Sequence, residues 1–286
     1  MVLVKSPVDH EELIRILKNH GCIIKDEIST IRILSQVDYY RISAYFLPFK
    51  QENGRYRQGT SFEQVYRIYE FDRRLRNILY GALETIEIAL RTRLAYFFSL
   101  KYGSLGYLDS NNFNAHHQSD KFNENIRREI ERHRNIPFVR HHLEKYEGNF
   151  PLWVLMELFT FGMLSYFYSD LKTSDQKQIA GIYGANYADV RSWLRCCTDI
   201  RNICAHYGRL YYRVFSATPA GLPVSINAKR RLWGAVLLIK ALYPDQDKWN
   251  REVMQEMKKL FDQYADSISL YHIAFPENWF SILNNE

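Results

Sequence analysis

A chain of 286 residues with 47% apolar and 15% aromatic side chains can fill a sizeable core, which excludes wholesale disorder. The formal net charge of +6 and a pI of about 9.0 permit a polyanionic partner without proving one. The N-terminus lacks the apolar segment of a secretory signal, so we expect a cytoplasmic protein.

Helical periodicity begins close to the N-terminus. The stretch SPVDHEELIRILKNHG predicts a first helix with Ser6 as its N-cap and Gly21 at its end. Two further helices are predicted in DEISTIRILSQV and DYYRISAYFLPF, and a polar, turn-rich segment follows at 50–61. We therefore predict an N-terminal helical region over residues 1–55 and a main helical domain over 56–286.

The main domain is predicted to be all-α. A long helical tract covers 61–102, a loop rich in Gly, Asn and Ser covers 103–117, and a charged helix covers 118–133. Helical patterns continue beyond this point with a loop at 216–227, and strand signals are sparse.

The apolar run at 150–168 requires a test for a membrane span. Pro151 opens the run, Glu157 lies in its middle and Gly162 divides it. The run therefore predicts two short core helices, and we expect no membrane partner.

The cysteines are Cys22, Cys196, Cys197 and Cys204, and none forms a CxxC pair. This spacing predicts buried free thiols in a reducing compartment, with no metal site.

The segment RCCTDIRNICAHYGRLYYR, residues 195–213, contains the candidate site. Arg201 is followed by the amide of Asn202 and, four residues later, by the imidazole of His206. Its long side chain can reach the neighbouring face of a helix. Helical spacing predicts one shared face for Asn202, His206, Arg209 and Arg213.

These groups suit RNA cleavage without a metal ion. A 2′-hydroxyl attacks the adjacent phosphorus, and a histidine with an ordinary pKa of about 6.5 can move the proton near neutral pH. Arginine matches phosphate oxygens and stabilises their developing charge. We expect Tyr211 and Tyr212 to offer stacking surfaces beside the site. The alternative is a surface helix with ion pairs and a histidine without a catalytic role.

The Arg-x4-His pattern by itself is weak evidence, because it occurs three times. Arg15 and His20 end the first helix, where the histidine faces the helix dipole. Arg128 and His133 lie on a charged face that solvent is expected to cover. Only the third match has an asparagine directly after its arginine.

Two other regions are candidate supports. The long helix contains a polar stripe in which Glu87 and Arg91 form an i, i+4 pair. This stripe is either an exposed surface or a face that packs near the helix predicted in the 195–213 segment, which we call the motif helix. In the second case, Glu84 or Glu87 orients an arginine of that helix. A second basic region predicts RNA contacts through Arg128, Arg132 and Arg140, with a solvated helix as the alternative.

The segment RNICAHYGRLYYR resembles the Arg-(Asn/Asp/His)-x3-5-His motif of HEPN ribonucleases. The chain as a whole resembles the Abi-like family of bacterial abortive-infection proteins, of the AbiD and AbiF type. The likeness covers four blocks in order, at 37–49, 71–97, 138–171 and 194–213. Tyr212 departs from the asparagine expected at its position.

This resemblance implies a HEPN-type helical bundle with RNase toxin activity in phage defence. Arg201 and His206 take catalytic roles, Asn202 is the polar residue after the arginine, and neither a metal nor another cofactor is expected. The products would be a 2′,3′-cyclic phosphate and a 5′-hydroxyl. The implied partners are an RNA substrate, a regulatory small RNA or antitoxin, and a second copy of the chain in a homodimer.

Two other functions remain open from the sequence. One is a HEPN-fold module that holds a structured or small RNA without cutting it. The other is a structural helical protein with no affinity for RNA.

Overall fold

The computed structural model describes residues 6–284 and confirms the all-α prediction. Within that range, β pairing is limited to isolated bridges between Ile23 and Ser61, Lys50 and Tyr56, and Phe113 and Leu171. The α-helices are α1 His10–Asn19, α2 Glu27–Gln36, α3 Tyr39–Phe46, α4 Phe62–Tyr102, α5 Ser119–Arg132, α6 Pro137–Lys145, α7 Leu152–Leu155, α8 Phe161–Asp170, α9 Thr173–Gly181, α10 Tyr187–Ala205, α11 Ile226–Lys229, α12 Leu232–Leu242, α13 Gln246–Lys248, α14 Gln255–Gln263 and α15 Trp279–Asn284.

The first helix begins later than predicted. Asp9, and not Ser6, is its N-cap, because the Asp9 carboxylate accepts the Glu12 N–H at 2.7 Å. Gly21 follows the helix with φ +89°, a left-handed conformation that glycine adopts without strain. The predicted end of this helix is therefore confirmed, and its predicted start is wrong. Residues 1–5 of the predicted N-terminal region lie outside the described residues.

The long helix α4 is the centre of the fold. It runs for 41 residues without a break at Gly81, which corresponds to roughly 60 Å at the rise of an α-helix. Ser61 caps it by accepting the Gln64 N–H at 3.2 Å. Helices α3, α7, α8, α10, α12 and α14 pack against α4 and share one contiguous apolar core with it.

The apolar run at 150–168 forms two short helices, as predicted. These are α7 and α8, and the backbone is extended at Phe159 between them. Within residues 6–284, no helix combines the length and the apolar character needed to cross a membrane.

The cysteines are free and buried, as their spacing predicts. Burial raises the pKa of Cys196 and of Cys204 to about 12, so both thiols stay protonated at neutral pH. Cys196, Cys197 and Cys204 all belong to the core face of α10.

A buried carboxylate on α4 ties three parts of the chain together. Asp72 has no exposed surface and forms an ion pair of 2.7 Å with Arg76, one turn further along α4. It also accepts the Tyr45 hydroxyl at 2.6 Å from α3. The backbone N–H groups of Leu210 and Tyr211, which follow α10, donate to the same carboxylate at 3.1 and 2.8 Å. We call these five residues the Asp72 clamp.

Burial raises the pKa of the Asp72 carboxyl, whereas the Arg76 guanidinium, the Tyr45 hydroxyl and the two backbone donors favour its charged form. These donors occupy the carboxylate oxygens, which is the condition for keeping a polar group in a core.

Further contacts from α3 and α4 hold the segment after α10. Arg41 donates to the Tyr207 carbonyl at 2.8 Å, and Arg209 donates to the Ala44 carbonyl. Arg76 reaches the Gly208 carbonyl at 3.3 Å. Helix α3 belongs to the predicted N-terminal region, yet it fixes the end of the motif segment. The division at residues 55 and 56 stays a prediction.

The clamp leads to a stability prediction. Replacing Asp72 by Asn should lower the free energy of unfolding by about 3–5 kcal/mol, because the Arg76 cation would remain buried without its counter-charge. Chemical denaturation followed by circular dichroism measures this change.

The matched control is Glu124→Gln, because Glu124 and Arg128 form an exposed i, i+4 pair at 3.0 Å. Loss of that pair should cost about 0.5 kcal/mol or less. Equal effects of the two substitutions would contradict the role given to Asp72.

Candidate functional site

Helix α10 carries the candidate site at its C-terminal end. It begins at Tyr187, where the Asn186 side chain caps the first turn by accepting the Ala188 N–H at 2.9 Å. It ends at Ala205, and His206 is the C-cap residue. The helix therefore ends before Arg209 and Arg213, two of the four residues that were predicted to share one of its faces.

The end of α10 has the hydrogen-bond pattern of a Schellman motif. The Tyr207 N–H donates to the Cys204 carbonyl at 3.1 Å, and the Gly208 N–H donates to the Ile203 carbonyl at 2.7 Å. Tyr207 takes the left-handed conformation at φ 57°, a position that glycine usually occupies. The chain turns sharply here and leaves the helix axis.

The prediction of one helical face for four residues is therefore wrong. Asn202 lies in α10 and His206 is its C-cap residue, whereas Arg209 and Arg213 lie in the irregular segment behind the turn. The Arg209 guanidinium is held against α3 and lies 5.9 Å from the Tyr45 ring centroid. Arg213 is exposed, and the one hydrogen bond of its side chain among the described residues is a long one of 3.5 Å to the Arg209 carbonyl.

The predicted stacking surface on Tyr211 is also wrong. Its side chain has no exposed surface, and its hydroxyl accepts the Ser269 N–H at 2.7 Å. Tyr212 packs against His272, with 4.5 Å between ring centroids. Tyr207, by contrast, is 68% exposed directly beside His206, and it is not among the residues predicted from the sequence to stack.

Arg201 lies against α4 beside a pocket of about 220 Å³. Its Nε is 3.6 Å from the Glu87 carboxylate, which is an ion-pair distance but too long for a hydrogen bond. That Nε is buried and has no hydrogen-bond partner in the described part of the chain. The guanidinium carbon lies 5.9 Å from the centre of the Tyr80 ring. The pocket is lined by Tyr80, Glu84, Glu87, Ile88, Arg91 and Arg201.

Glu87 connects two arginines at this pocket. Arg91 donates to Glu87 at 3.2 Å and to the Phe159 carbonyl at 3.0 Å. Burial raises the pKa of Glu87, against the opposing effect of Arg201 and Arg91, and Glu84 adds to the increase. Glu87 is thus the carboxylate in contact with Arg201. Glu84 lines the same pocket and forms no ion pair within residues 6–284.

The histidines of the Arg-x4-His matches all cap helix C-termini, but their rings differ. His20 donates through Nδ1 to the Ile16 carbonyl at 2.7 Å, and His133 donates through Nδ1 to the Glu129 carbonyl at 2.9 Å. The ring of His206 is exposed and makes no hydrogen bond within the described part of the chain. Of the three, only His206 has both ring nitrogens available to a ligand.

The amide of Asn202 is equally available. It is exposed, and its side chain makes no hydrogen bond to any residue between 6 and 284. Helical geometry separates Arg201 from His206 by about 140° around the axis of α10, with Asn202 between them. The end of α10 thus presents an amide and an imidazole to solvent and a guanidinium to the pocket against α4.

Metal ligands are not grouped at this site. Across residues 6–284, no cluster of three or more His, Cys, Asp or Glu side chains is close enough to hold a metal ion.

The sequence matches the Abi-like protein family over residues 32–212. The chain belongs to the Abi-like family. The matched range contains α3, α4, α8 and α10 and ends at Tyr212, so it includes the Asp72 clamp and the end of α10. Membership in this family connects the chain with abortive infection. No curated protein and no solved structure gives a significant match.

The second basic region of this Abi-like chain lies on α5 and α6. Arg128 pairs with Glu124 and Arg132 pairs with Glu129, each at 3.0 Å, on an exposed helix surface. The Arg140 side chain is exposed and has no hydrogen bond or ion pair among the described residues. The predicted RNA contacts of these three arginines remain predictions.

The left-handed conformation at Tyr207 can be tested through stability. Glycine avoids the steric cost of this conformation, so Tyr207→Gly should be more stable than Tyr207→Ala by about 1 kcal/mol. Both variants lose the Tyr207 ring, so the difference between their unfolding free energies isolates the backbone. An alanine variant as stable as the glycine variant would contradict the turn geometry at the end of α10.

Proposed function

We propose that this Abi-like protein is a metal-independent RNA endonuclease that acts as a toxin in abortive infection. The observation that carries the proposal is the buried Nε of Arg201, which has no hydrogen-bond partner among residues 6–284 while its guanidinium lines an open pocket. Asn202 and His206 have free side chains at the end of the same helix. Unpaired polar groups of this kind are expected where a ligand completes the site.

The proposed reaction is attack by a 2′-hydroxyl of RNA on the adjacent phosphorus. The P–O5′ bond breaks, so the products are a 2′,3′-cyclic phosphate and a 5′-hydroxyl. His206 moves a proton, since a histidine can both accept and donate one near neutral pH. Arg201 stabilises the charge that develops on the phosphate oxygens, and Asn202 donates a hydrogen bond to the substrate.

Two neighbours support these roles. Glu87 positions the Arg201 guanidinium through the ion pair at 3.6 Å and is itself held by Arg91. The exposed ring of Tyr207 takes the stacking role that the sequence assigned to Tyr211, because it lies next to His206 and faces solvent.

Further RNA contacts come from exposed cations. We assign such contacts to Arg213 and, in the second basic region, to Arg128, Arg132 and Arg140. Arg209 contributes its charge to this surface while its guanidinium stays against α3. A regulatory small RNA or an antitoxin would hold the toxin inactive in the cytoplasm until infection, by covering the end of α10.

We infer that the active unit is a homodimer with a HEPN-type arrangement. One chain carries a single free histidine at the site, whereas the reaction removes one proton from the 2′-hydroxyl and delivers another to the leaving oxygen. Arg201 and His206 also project from α10 about 140° apart. A two-fold axis near Asn202 supplies the second histidine and brings an arginine from each chain to one phosphate.

Substitution of the motif histidine tests the proposal. In a chelating buffer, wild type should shorten total RNA and His206→Ala should not, because no imidazole remains to move protons. Arg201→Lys should also lose most activity, since a point charge does not reproduce the planar guanidinium. Product lengths on a denaturing gel measure both effects.

The chain offers a matched control in His133→Ala, which removes a C-capping histidine from another Arg-x4-His sequence. Cleavage should continue in this variant, and circular dichroism should show folded protein in every case. Undiminished cleavage by His206→Ala would overturn the assignment. RNA that shifts on a native gel but is never shortened by wild type would favour the non-cleaving RNA-binding module.

The shared site predicts interference between subunits. Wild type should elute at twice the 34.1 kDa of one chain. Addition of excess His206→Ala, after subunit exchange, should lower the activity of wild type because mixed dimers lack one histidine. A monomer that cleaves RNA at high dilution would contradict the homodimer.

A further inference from the structure

A polar groove of about 900 Å³ runs along the exposed face of α10, on the side away from its core residues. Helix α8 forms one wall, through Gly162, Ser165, Tyr166 and Ser169, and residues 216–218 form the other. Arg191, Arg195, Thr198 and Asp199 of α10 lie along the floor.

The two arginines of the floor lack partners. Arg191 and Arg195 are exposed, and neither side chain has a hydrogen bond or an ion pair with any residue in the range 6–284. They lie at i and i+4 on one helix, where like charges destabilise each other by a few tenths of a kcal/mol. By contrast, Arg128 and Arg132 on α5 each have a carboxylate partner. Two unpaired cations one helical turn apart in one groove can bind the same anionic ligand.

Most of the remaining polar groups of the groove already form hydrogen bonds or ion pairs within the protein. Asp170 pairs with His117 at 2.8 Å, and the Thr198 hydroxyl donates to the Leu194 carbonyl at 2.9 Å. Asp199 is the one carboxylate of the groove lining with no hydrogen bond or ion pair among the described residues. Two unpaired arginines against one unpaired carboxylate give the groove a net positive charge.

An exposed aromatic ring lies on the wall of the groove. Tyr166 is 76% exposed and borders both this groove and an adjoining pocket of about 450 Å³. Lys121 lines that pocket and extends the positive surface beyond the tyrosine. Unpaired guanidinium groups beside an exposed ring are the features by which proteins hold single-stranded nucleic acid.

The groove leads towards the candidate site. Helical geometry places Arg191, Arg195 and Asn202 within about 40° of one another on α10. Arg195 and His206 are separated by about 16 Å along the helix axis. A strand lying on the floor of the groove would thus continue to the end of α10.

We propose that this groove binds single-stranded RNA on one side of the bond that is cut, a subsite that rests on the proposed ribonuclease function. Arg191 and Arg195 each bind a backbone phosphate, and Tyr166 stacks on a base. RNA on that side of the cut bond must therefore be long enough to fill the groove.

Binding of an uncleavable RNA tests the subsite directly. The probe is a fluorescent 2′-O-methyl oligouridylate of about twelve nucleotides, a length that covers a typical single-strand site and has no 2′-hydroxyl to attack. The Arg191→Gln/Arg195→Gln double variant should bind it at least about tenfold more weakly than wild type. The slope of log K against log salt should become shallower by about 1.4, since about 0.7 is lost for each phosphate contact.

A charge-matched control is Arg32→Gln/Arg251→Gln, which removes two exposed arginines whose side chains also lack partners among the described residues. That variant should keep the affinity of wild type within about twofold and keep its salt slope. Tyr166→Ala should weaken binding by about fivefold or more, and Tyr166→Phe should not, because the ring carries the stacking energy.

Several outcomes would overturn the subsite. Equal affinity and salt slope in wild type and the Arg191→Gln/Arg195→Gln variant would do so. So would tighter binding of poly-glutamate than of the RNA probe, which would identify an acidic peptide as the ligand. A different result would show that the proposed function is wrong and the subsite is right. In that case wild type would bind the probe in this groove but would not shorten RNA in chelator.

Discussion

The Asp72 carboxylate joins three parts of the chain that are far apart in sequence. It receives the Tyr45 hydroxyl from α3, the Arg76 cation from α4, and the backbone of Leu210 and Tyr211 from beyond α10. Because this carboxylate is fully buried, any displacement of the segment after α10 would leave a charge without its donors. The position of His206, four residues before Leu210, depends on this constraint.

Helix α10 serves the core and the proposed site at the same time. Its buried face carries cysteines, Trp193 and aliphatic side chains, which fix the helix against α4 and α8. Its exposed face carries the free arginines of the groove near one end and Asn202 near the other. A single rigid element therefore aligns the proposed RNA path with the proposed chemistry, and no loop has to order between them.

Much of the fold follows from periodicity and turn residues alone. The predicted tract at 61–102 agrees with α4, and the divided run at 150–168 agrees with α7 and α8. The contact between Glu87 and Arg201 also agrees with one of the two interpretations of the polar stripe. These features depend on local patterns, which a single sequence contains.

The errors have physical causes. Helical spacing predicts that the motif helix continues past Ala205, because the C′ position holds Tyr207, where a helix end is normally marked by glycine. Gly208, one residue later, was the available signal. Asp72 and Arg76 were missed because charged helix residues usually face solvent. Their spacing continues the buried face of Leu79, and that was the one local sign of burial.

The reaction proposed for the end of α10 is cleavage of RNA through attack by a 2′-hydroxyl. The most direct measurement uses two RNAs of one sequence, of which one carries a single 2′-deoxynucleotide on the 5′ side of the bond that wild type cuts. In chelator, the all-ribose strand should give a 2′,3′-cyclic phosphate and a 5′-hydroxyl, and the substituted strand should stay intact at that bond. Equal cleavage of both strands, or products with a 3′-hydroxyl, would contradict attack by the 2′-hydroxyl.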